Sequence, residues 1–132
     1  VAWGHMDAFQ HVNNVQYLRF FEDARIRYFE DLGVPGFATA DGVGPILAST
    51  SCRFKAPVTY PDVLVVGAKS ALPAAGAKAW THEYAVYSEA LERVVCEGDG
   101  VVMTVDYSTG RPVAIPDAVR DAMERLEGSE LE

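Results

Sequence analysis

Asn13-Asn14-Val15-Gln16-Tyr17-Leu18-Arg19-Phe20-Phe21-Glu22-Asp23-Ala24-Arg25-Ile26-Arg27-Tyr28-Phe29-Glu30-Asp31-Leu32-Gly33 is the longest amphipathic segment of the chain, and its reading decides the fold. Val15, Leu18 and Phe21, and then Tyr17, Phe21, Tyr28 and Leu32, recur at helical steps, which predicts a helix from Asn14 to about Leu32. Asn13 or Asn14 supplies the N-cap, and Gly33-Val34-Pro35-Gly36 is a stop. Glu22 with Arg25, and Asp23 with Arg27, stand close enough along the helix to pair. Phe20, Phe21, Ile26, Tyr28 and Phe29 make the apolar surface wider than a narrow stripe. A helix of that kind is expected to be wrapped by other elements.

The segments beyond the helix supply the wrapping. A Gly-rich connection, Pro35 to Pro45, leads to an alternating strand, Ile46 to Lys55, with Ile46, Ala48, Thr50, Cys52 and Phe54 on one face. Further strands are read at Val63 to Leu72, Lys78 to Tyr87 and Arg93 to Asp106, joined by Pro- and Gly-containing turns. In the third, Trp80, His82, Tyr84 and Val86 oppose Ala79, Thr81, Glu83 and Ala85. Gly98-Asp99-Gly100 signals a bulge or a close backbone approach. Tyr107 to Val113 reads as an exit turn, and Pro116 to Glu127 as a short terminal helix. One long apolar helix followed by an antiparallel meander implies an α+β fold in which the sheet curls around the helix.

The 132 residues suit a single domain spanning 1–132. Val1-Ala2-Trp3 reads as the tail of a strand, which predicts a truncated N-terminal strand, and Leu131-Glu132 is given no structural meaning. A formal net charge of −8 argues against nucleic acid and against an anionic membrane surface as partners. No apolar run reaches the roughly 20 residues of a spanning helix. Cys52 and Cys96 lie in apolar-alternating stretches and read as buried reduced thiols, which fits a cytoplasmic location.

Immediately ahead of the helix, Trp3-Gly4-His5-Met6-Asp7-Ala8-Phe9-Gln10-His11-Val12 packs an acid and two histidines into a short loop. Unpaired first-turn N–H groups and the positive dipole end stabilise an anion or a developing oxyanion there. Asp7 has two readings: a turn aspartate bonded to nearby backbone N–H groups, or a reactive carboxylate beside an electrophile-polarising site. His5, Asp7 and His11 match no zinc spacing, so no metal is expected, and His82 reads as a structural histidine. There is no Gly-x-Ser-x-Gly elbow, phosphate-binding Gly-rich loop or dinucleotide fingerprint.

Met6-Asp7-Ala8-Phe9-Gln10-His11-Val12-Asn13-Asn14, with Tyr17 and Phe21-Glu22-Asp23-Ala24-Arg25, resembles the opening of the 4-hydroxybenzoyl-CoA thioesterase-like hotdog family. Arg53-Phe54-Lys55-Ala56-Pro57 with Asp62-Val63-Leu64, and Val102-Met103-Thr104-Val105-Asp106-Tyr107 with Thr109-Gly110-Arg111-Pro112, are similar to later parts of the same family. The resemblance implies a hotdog-fold acyl-CoA thioesterase acting as a homodimer or a dimer of dimers, with sheets joined edge to edge and the site between subunits. It places the catalytic aspartate at Asp7 and the thioester-polarising backbone amide at or next to Asn14, leaves His11 without a settled role, and puts Asn13 and Tyr17 on the substrate side. No cofactor is implied, since the CoA thioester is the substrate. Gln10 stands where glycine is usual.

CoA phosphates need cations, and Arg53 and Lys55 on one strand face, with Lys78 and Arg93 behind them, are the candidates; the other reading makes all four solvated edge charges. An acyl-carrier-protein thioesterase of the same fold and a non-catalytic acyl-CoA binding module are the alternatives.

Overall fold

The computed structural model describes residues 1–34 and 42–130, so most of the expected Pro35–Pro45 connection lies outside the described residues. A 3-10 turn, Trp3–His5, precedes helix α1, Asn14–Leu32. Strands β1, Val43–Phe54, β2, Leu64–Ser70, β3, Ala79–Ser88, and β4, Arg93–Asp106, come next, then a two-residue β5, Arg111–Pro112, and helix α2, Asp117–Glu130. The sheet is antiparallel in the order β1-β4-β3-β2, and β5 extends it beside β4. The expected α+β arrangement holds, with the sheet curled around α1. Val1 and Ala2 form no strand; the Val1 amine donates to Asp62 O at 2.9 Å instead.

Asn13 is the cap. Its backbone is extended (φ −62°, ψ 137°) and its Oδ1 accepts the Val15 N–H at 2.9 Å. Gly33 ends the helix at φ 66°, the left-handed conformation that favours glycine. Neither expected ion pair forms among the described residues. Arg27 pairs forward with Asp31 at 3.1 Å, and half-buried Arg25 is drawn inward to donate to the Tyr84 hydroxyl at 3.3 Å.

The buried face of α1 divides the core in two. Tyr17 and Phe21 join Val58, Tyr84, Val86, Val95 and Cys96 at one end. Tyr28 and Leu32 join Trp80, Val102, Val119 and Met123 at the other, which α2 closes. Glu127 on α2 ties that end together, accepting the Tyr28 hydroxyl at 2.7 Å and the Ser70 N–H at 2.8 Å on one oxygen. The opposite side of α1 is left open, and Val15, Leu18 and Ile26 are exposed there.

The strands settle one alternative left open by the sequence and correct one facing assignment. The register is continuous through Gly98 and Gly100, so that segment is a close approach and not a bulge. A Cβ on Gly98 would stand 2.2 Å from Ser51 O and 2.6 Å from the Phe21 ring, a space only glycine leaves. The irregularity in β1 falls between Leu47 and Ser49. It turns Leu47, opposite buried Val102, onto the face of Thr50, Cys52 and Phe54, and Ile46 leaves that face.

His82 packs in the core, as a structural histidine should, but only its Nδ1 is satisfied; Nε2 is buried with no hydrogen-bond partner among the described residues. It is wholly buried, its ring 4.5 Å from Tyr28 and 5.8 Å from Tyr84, and its Nδ1 lies 3.2 Å from the Tyr84 hydroxyl. Burial, and next the Arg25 charge, lower its pKa to about 4.

Candidate active site

The loop before α1 is built on Asp7. Met6 bridges Val12, the Asp7 N–H donates to His11 O at 2.8 Å, and the Gln10 N–H donates to Asp7 O at 3.0 Å. Asp7 Oδ1 accepts the N–H groups of Phe9 at 2.9 Å and His11 at 3.3 Å. The turn reading of Asp7 is thus satisfied through one oxygen, and among the described residues Oδ2 has no hydrogen-bond partner. Gln10 closes the turn at φ 61°, where a side chain is strained. The loop is strapped down by the Val12 N–H to Val58 O at 2.7 Å and the Asn13 N–H to His5 O at 2.8 Å.

Asp7, His11, Val12, Asn14, Tyr17, Phe54, Lys55, Ala56 and Pro57 line one cleft of about 330 Å³. Of the residues singled out in the sequence, Asp7, His11, Asn14, Tyr17 and Lys55 come together here; Asn13, Arg53, Lys78 and Arg93 do not line it. Asn13 stands behind the cleft as the cap. It takes the Val15 N–H on its side chain and the Gln16 N–H on its carbonyl, at 2.9 Å each. The Asn14 N–H has no acceptor among the described residues, as expected of the first helical position. Asp7 and Asn14, the latter with an N–H that has no acceptor among the described residues, therefore line one cleft at the positive end of α1.

Tyr17 is nearly fully buried, with ring contacts to Phe54 at 5.3 Å and Phe20 at 5.8 Å. Burial, with lesser contributions from Cys96, Cys52 and Asp62, raises its pKa to about 12. The hydroxyl stays protonated at neutral pH and cannot serve as a base there. His5 is occupied elsewhere: its Nδ1 accepts the Ala2 N–H at 3.1 Å and its ring meets Phe20 at 5.5 Å. No group of three or more His, Cys, Asp or Glu residues arranged to hold a metal ion occurs among the described residues.

The basic pair shares a face and a partner. Lys55 Nζ stands 3.2 Å from Glu97 Oε1 and Arg53 3.5 Å from Glu97 Oε2. Lys55, and then Arg53, hold the Glu97 carboxyl below its usual range. Lys55 lies just past the end of β1 and reaches the Asp7 cleft, while Arg53 lines a separate concavity of about 590 Å³. That larger space is crossed by the Arg53–Glu97 and Lys69–Glu83 ion pairs, and no residue of the Asp7 loop lines it. The smaller cleft is the candidate site because it gathers an acid, a helix N-terminus and a cation, which the larger space does not.

Sequence reading missed Glu97, whose link to Lys55 depends on strand pairing, and Val58, whose carbonyl pins the loop. For Phe54, Ala56 and Pro57 the signal is the family-like stretch Arg53–Pro57 to which they belong.

An antiparallel sheet curled around one long helix is the hotdog fold, and here an acid-bearing loop stands at the N-terminus of that helix. The chain belongs to the thioesterase-like superfamily, whose profile matches residues 1–123. It is 25% identical over 122 residues to the long-chain acyl-CoA thioesterase FadM of Escherichia coli, covering 92% of this chain and 91% of that protein. The crystal structure of the PA5185 protein from Pseudomonas aeruginosa superposes with a TM-score of 0.81 at 31% identity, covering 96% of this chain and 87% of that one. A Thermus thermophilus thioesterase complexed with coenzyme A and Zn gives 0.82 at 27% identity, covering 97% and 90%.

No helix among the described residues is long and apolar enough to cross a membrane, which says nothing of β-barrels.

Proposed function

We propose that this protein is an acyl-CoA thioesterase, hydrolysing an acyl-CoA to the free acid and CoA with Asp7 as nucleophile or general base. The observation that carries the reading is the shared cleft of Asp7 and the open Asn14 N–H. Thioester hydrolysis needs an attacking group for the carbonyl carbon and a donor for the oxyanion that forms. Asp7 either attacks to give an acyl anhydride, which water then opens, or takes a proton from the attacking water. The Asn14 N–H, supported by the helix dipole, receives the developing negative charge. The CoA thiolate is a good leaving group, so no strong general acid is needed, consistent with a Tyr17 that keeps its proton. Lys55 at the cleft offers a cation to a CoA phosphate. The substrates named for FadM and the CoA bound to the Thermus protein point the same way. The reading uses no cofactor.

A cleft of about 330 Å³ holds little of an acyl-CoA. Phe9 and Val15 beside it are exposed, as are Ile46 and Phe54 on the sheet-edge strand β1. A second copy joined along the β1 edge would wall the cleft and cover those side chains, giving the homodimer. Light scattering on the purified chain tests this; an active monomer would refute it.

Free-thiol release measured over short, long and aromatic acyl-CoAs, with matched carrier-protein thioesters alongside, tests the activity. Asp7→Ala is expected to fold and to lose on the order of 10²-fold or more in kcat. An Asp7→Ala protein as fast as the parent would remove Asp7 from the mechanism. Tight binding of CoA esters without thiol release would make the chain a binding module instead.

A further inference from the structure

Strands β1 and β4 pair with Cys52 opposite Gly98 and Phe54 opposite Cys96, so the two cysteines are diagonal neighbours across the ladder. Their sulfurs stand 3.1 Å apart. Both thiols are free; Cys52 is half-buried and Cys96 wholly buried. A disulfide places sulfurs about 2.05 Å apart, so closure of about 1 Å would join them. Neither thiol has a part in the proposed hydrolysis. Burial and the neighbouring Cys52 push the Cys96 thiol up, which leaves Cys52 as the sulfur that meets reagents from solvent.

We propose that Cys52 and Cys96 are a reversible oxidation site for low-molecular-weight disulfides, closing to an intramolecular disulfide beside the Asp7 cleft. Cys52, as thiolate, attacks one sulfur of a disulfide RSSR, forming a Cys52–SR mixed disulfide and releasing RS⁻. Cys96 then attacks the Cys52 sulfur and displaces the second RS⁻, which takes up the Cys96 proton as it leaves. Two protein thiols are oxidised and RSSR is reduced to two RSH, so excess thiol reverses the reaction.

The position gives the bond a consequence. Phe54, the register partner of Cys96, and Tyr17, in ring contact with Phe54, both line the Asp7 cleft. Tying β1 to β4 through Cys52 fixes that wall and is expected to lower turnover several-fold. This consequence rests on the cleft being the active site; formation of the bond does not.

The intact chain is incubated with oxidised glutathione, quenched in acid and denatured, and its thiols are counted. Both thiols should disappear together, with the mass falling by two hydrogens, a Cys52–Cys96 cross-linked peptide in the digest, and full recovery in dithiothreitol. Cys96→Ser should stop at one glutathione on Cys52. Retention of both thiols, arrest of the parent chain at a mixed disulfide, or cross-linking between chains would overturn the proposal. The parent chain alone decides this, whatever the folding of the variant. An oxidised protein that releases thiol from acyl-CoA at the reduced rate would overturn the link to the cleft.

Discussion

Asn13 Oδ1 accepts the Val15 N–H at 2.9 Å, and the residue between them, Asn14, keeps its N–H open at the cleft that Asp7 lines. The cap satisfies one orphan donor of the first turn and leaves the Asn14 N–H without an acceptor among the described residues. Asn13→Ala should cost about 1 kcal/mol of stability. If the Asn14 N–H receives the oxyanion, as proposed, Asn13→Ala should also lower kcat more than it raises KM. Asn13→Asp or Asn13→Ser should restore most of both. Denaturant midpoints and thiol-release kinetics on the three variants check this; equal kcat in Asn13→Ala and the parent would separate the cap from the chemistry.

Gln10 holds φ 61° in the turn that places Asp7. Glycine adopts that conformation without the Cβ penalty, which is the physical reason glycine is usual there in the family the sequence resembles. Gln10→Gly should raise stability by up to about 1 kcal/mol, the relieved strain outweighing the added freedom of the unfolded chain. Gln10→Val should lower it by more. Urea unfolding at neutral pH reads both, and a destabilised Gln10→Gly protein would show that the strain is relieved in another way.

The parts legible in the sequence are those decided locally. Asn13 and Gly33 bracket α1 because a cap and a left-handed stop are chemical properties of single residues. The inward set Trp80, His82, Tyr84 and Val86 comes from alternation along one strand. What was not legible depends on partners far along the chain. The β1 irregularity that exchanges Ile46 for Leu47 is set by pairing with β4, and alternation within β1 carries no trace of it. Glu97 answers Lys55 and Arg53 only because β4 lies beside β1. Arg25 reads as a surface partner of Glu22 until Tyr84 offers it an acceptor from the sheet. The candidate site was legible as an acid next to a helix start; the cleft wall of Phe54, Lys55, Ala56 and Pro57 was legible as a strand end and not as a wall.

Glu97 competes with any phosphate for Lys55. Replacing it by glutamine frees both basic side chains while keeping the shape, so Glu97→Gln should lower KM for acyl-CoA a few-fold with kcat little changed. Lys55→Ala should raise KM, on the order of threefold to tenfold for one exposed charge contact, and weaken its dependence on salt. Substrate saturation curves at low and high ionic strength measure both. Unchanged KM in Lys55→Ala at low salt would assign Lys55 to the Glu97 ion pair alone.

His82 makes the stability of the fold depend on pH. Its pKa falls from 6.5 to about 4 on folding, chiefly through burial, with the Arg25 charge adding to the effect. Tyr84 shares a hydrogen bond with its Nδ1, and Tyr28, held by Glu127, packs on its ring, so no carboxylate is bonded to the imidazole among the described residues. Between these two pKa values the unfolded chain binds a proton that the folded chain refuses. Stability is therefore full above about pH 6.5 and is lost as pH falls toward about 4. The loss attributable to this one group is about 3 kcal/mol across the window. His82→Leu should lower stability at neutral pH through repacking, yet flatten the slope between these two pH values relative to the parent. Carboxylates titrate in the same range in both proteins, so the difference between the two curves isolates the imidazole. Parallel curves from chemical denaturation at a series of pH values would mean that His82 protonates in the folded state at no cost.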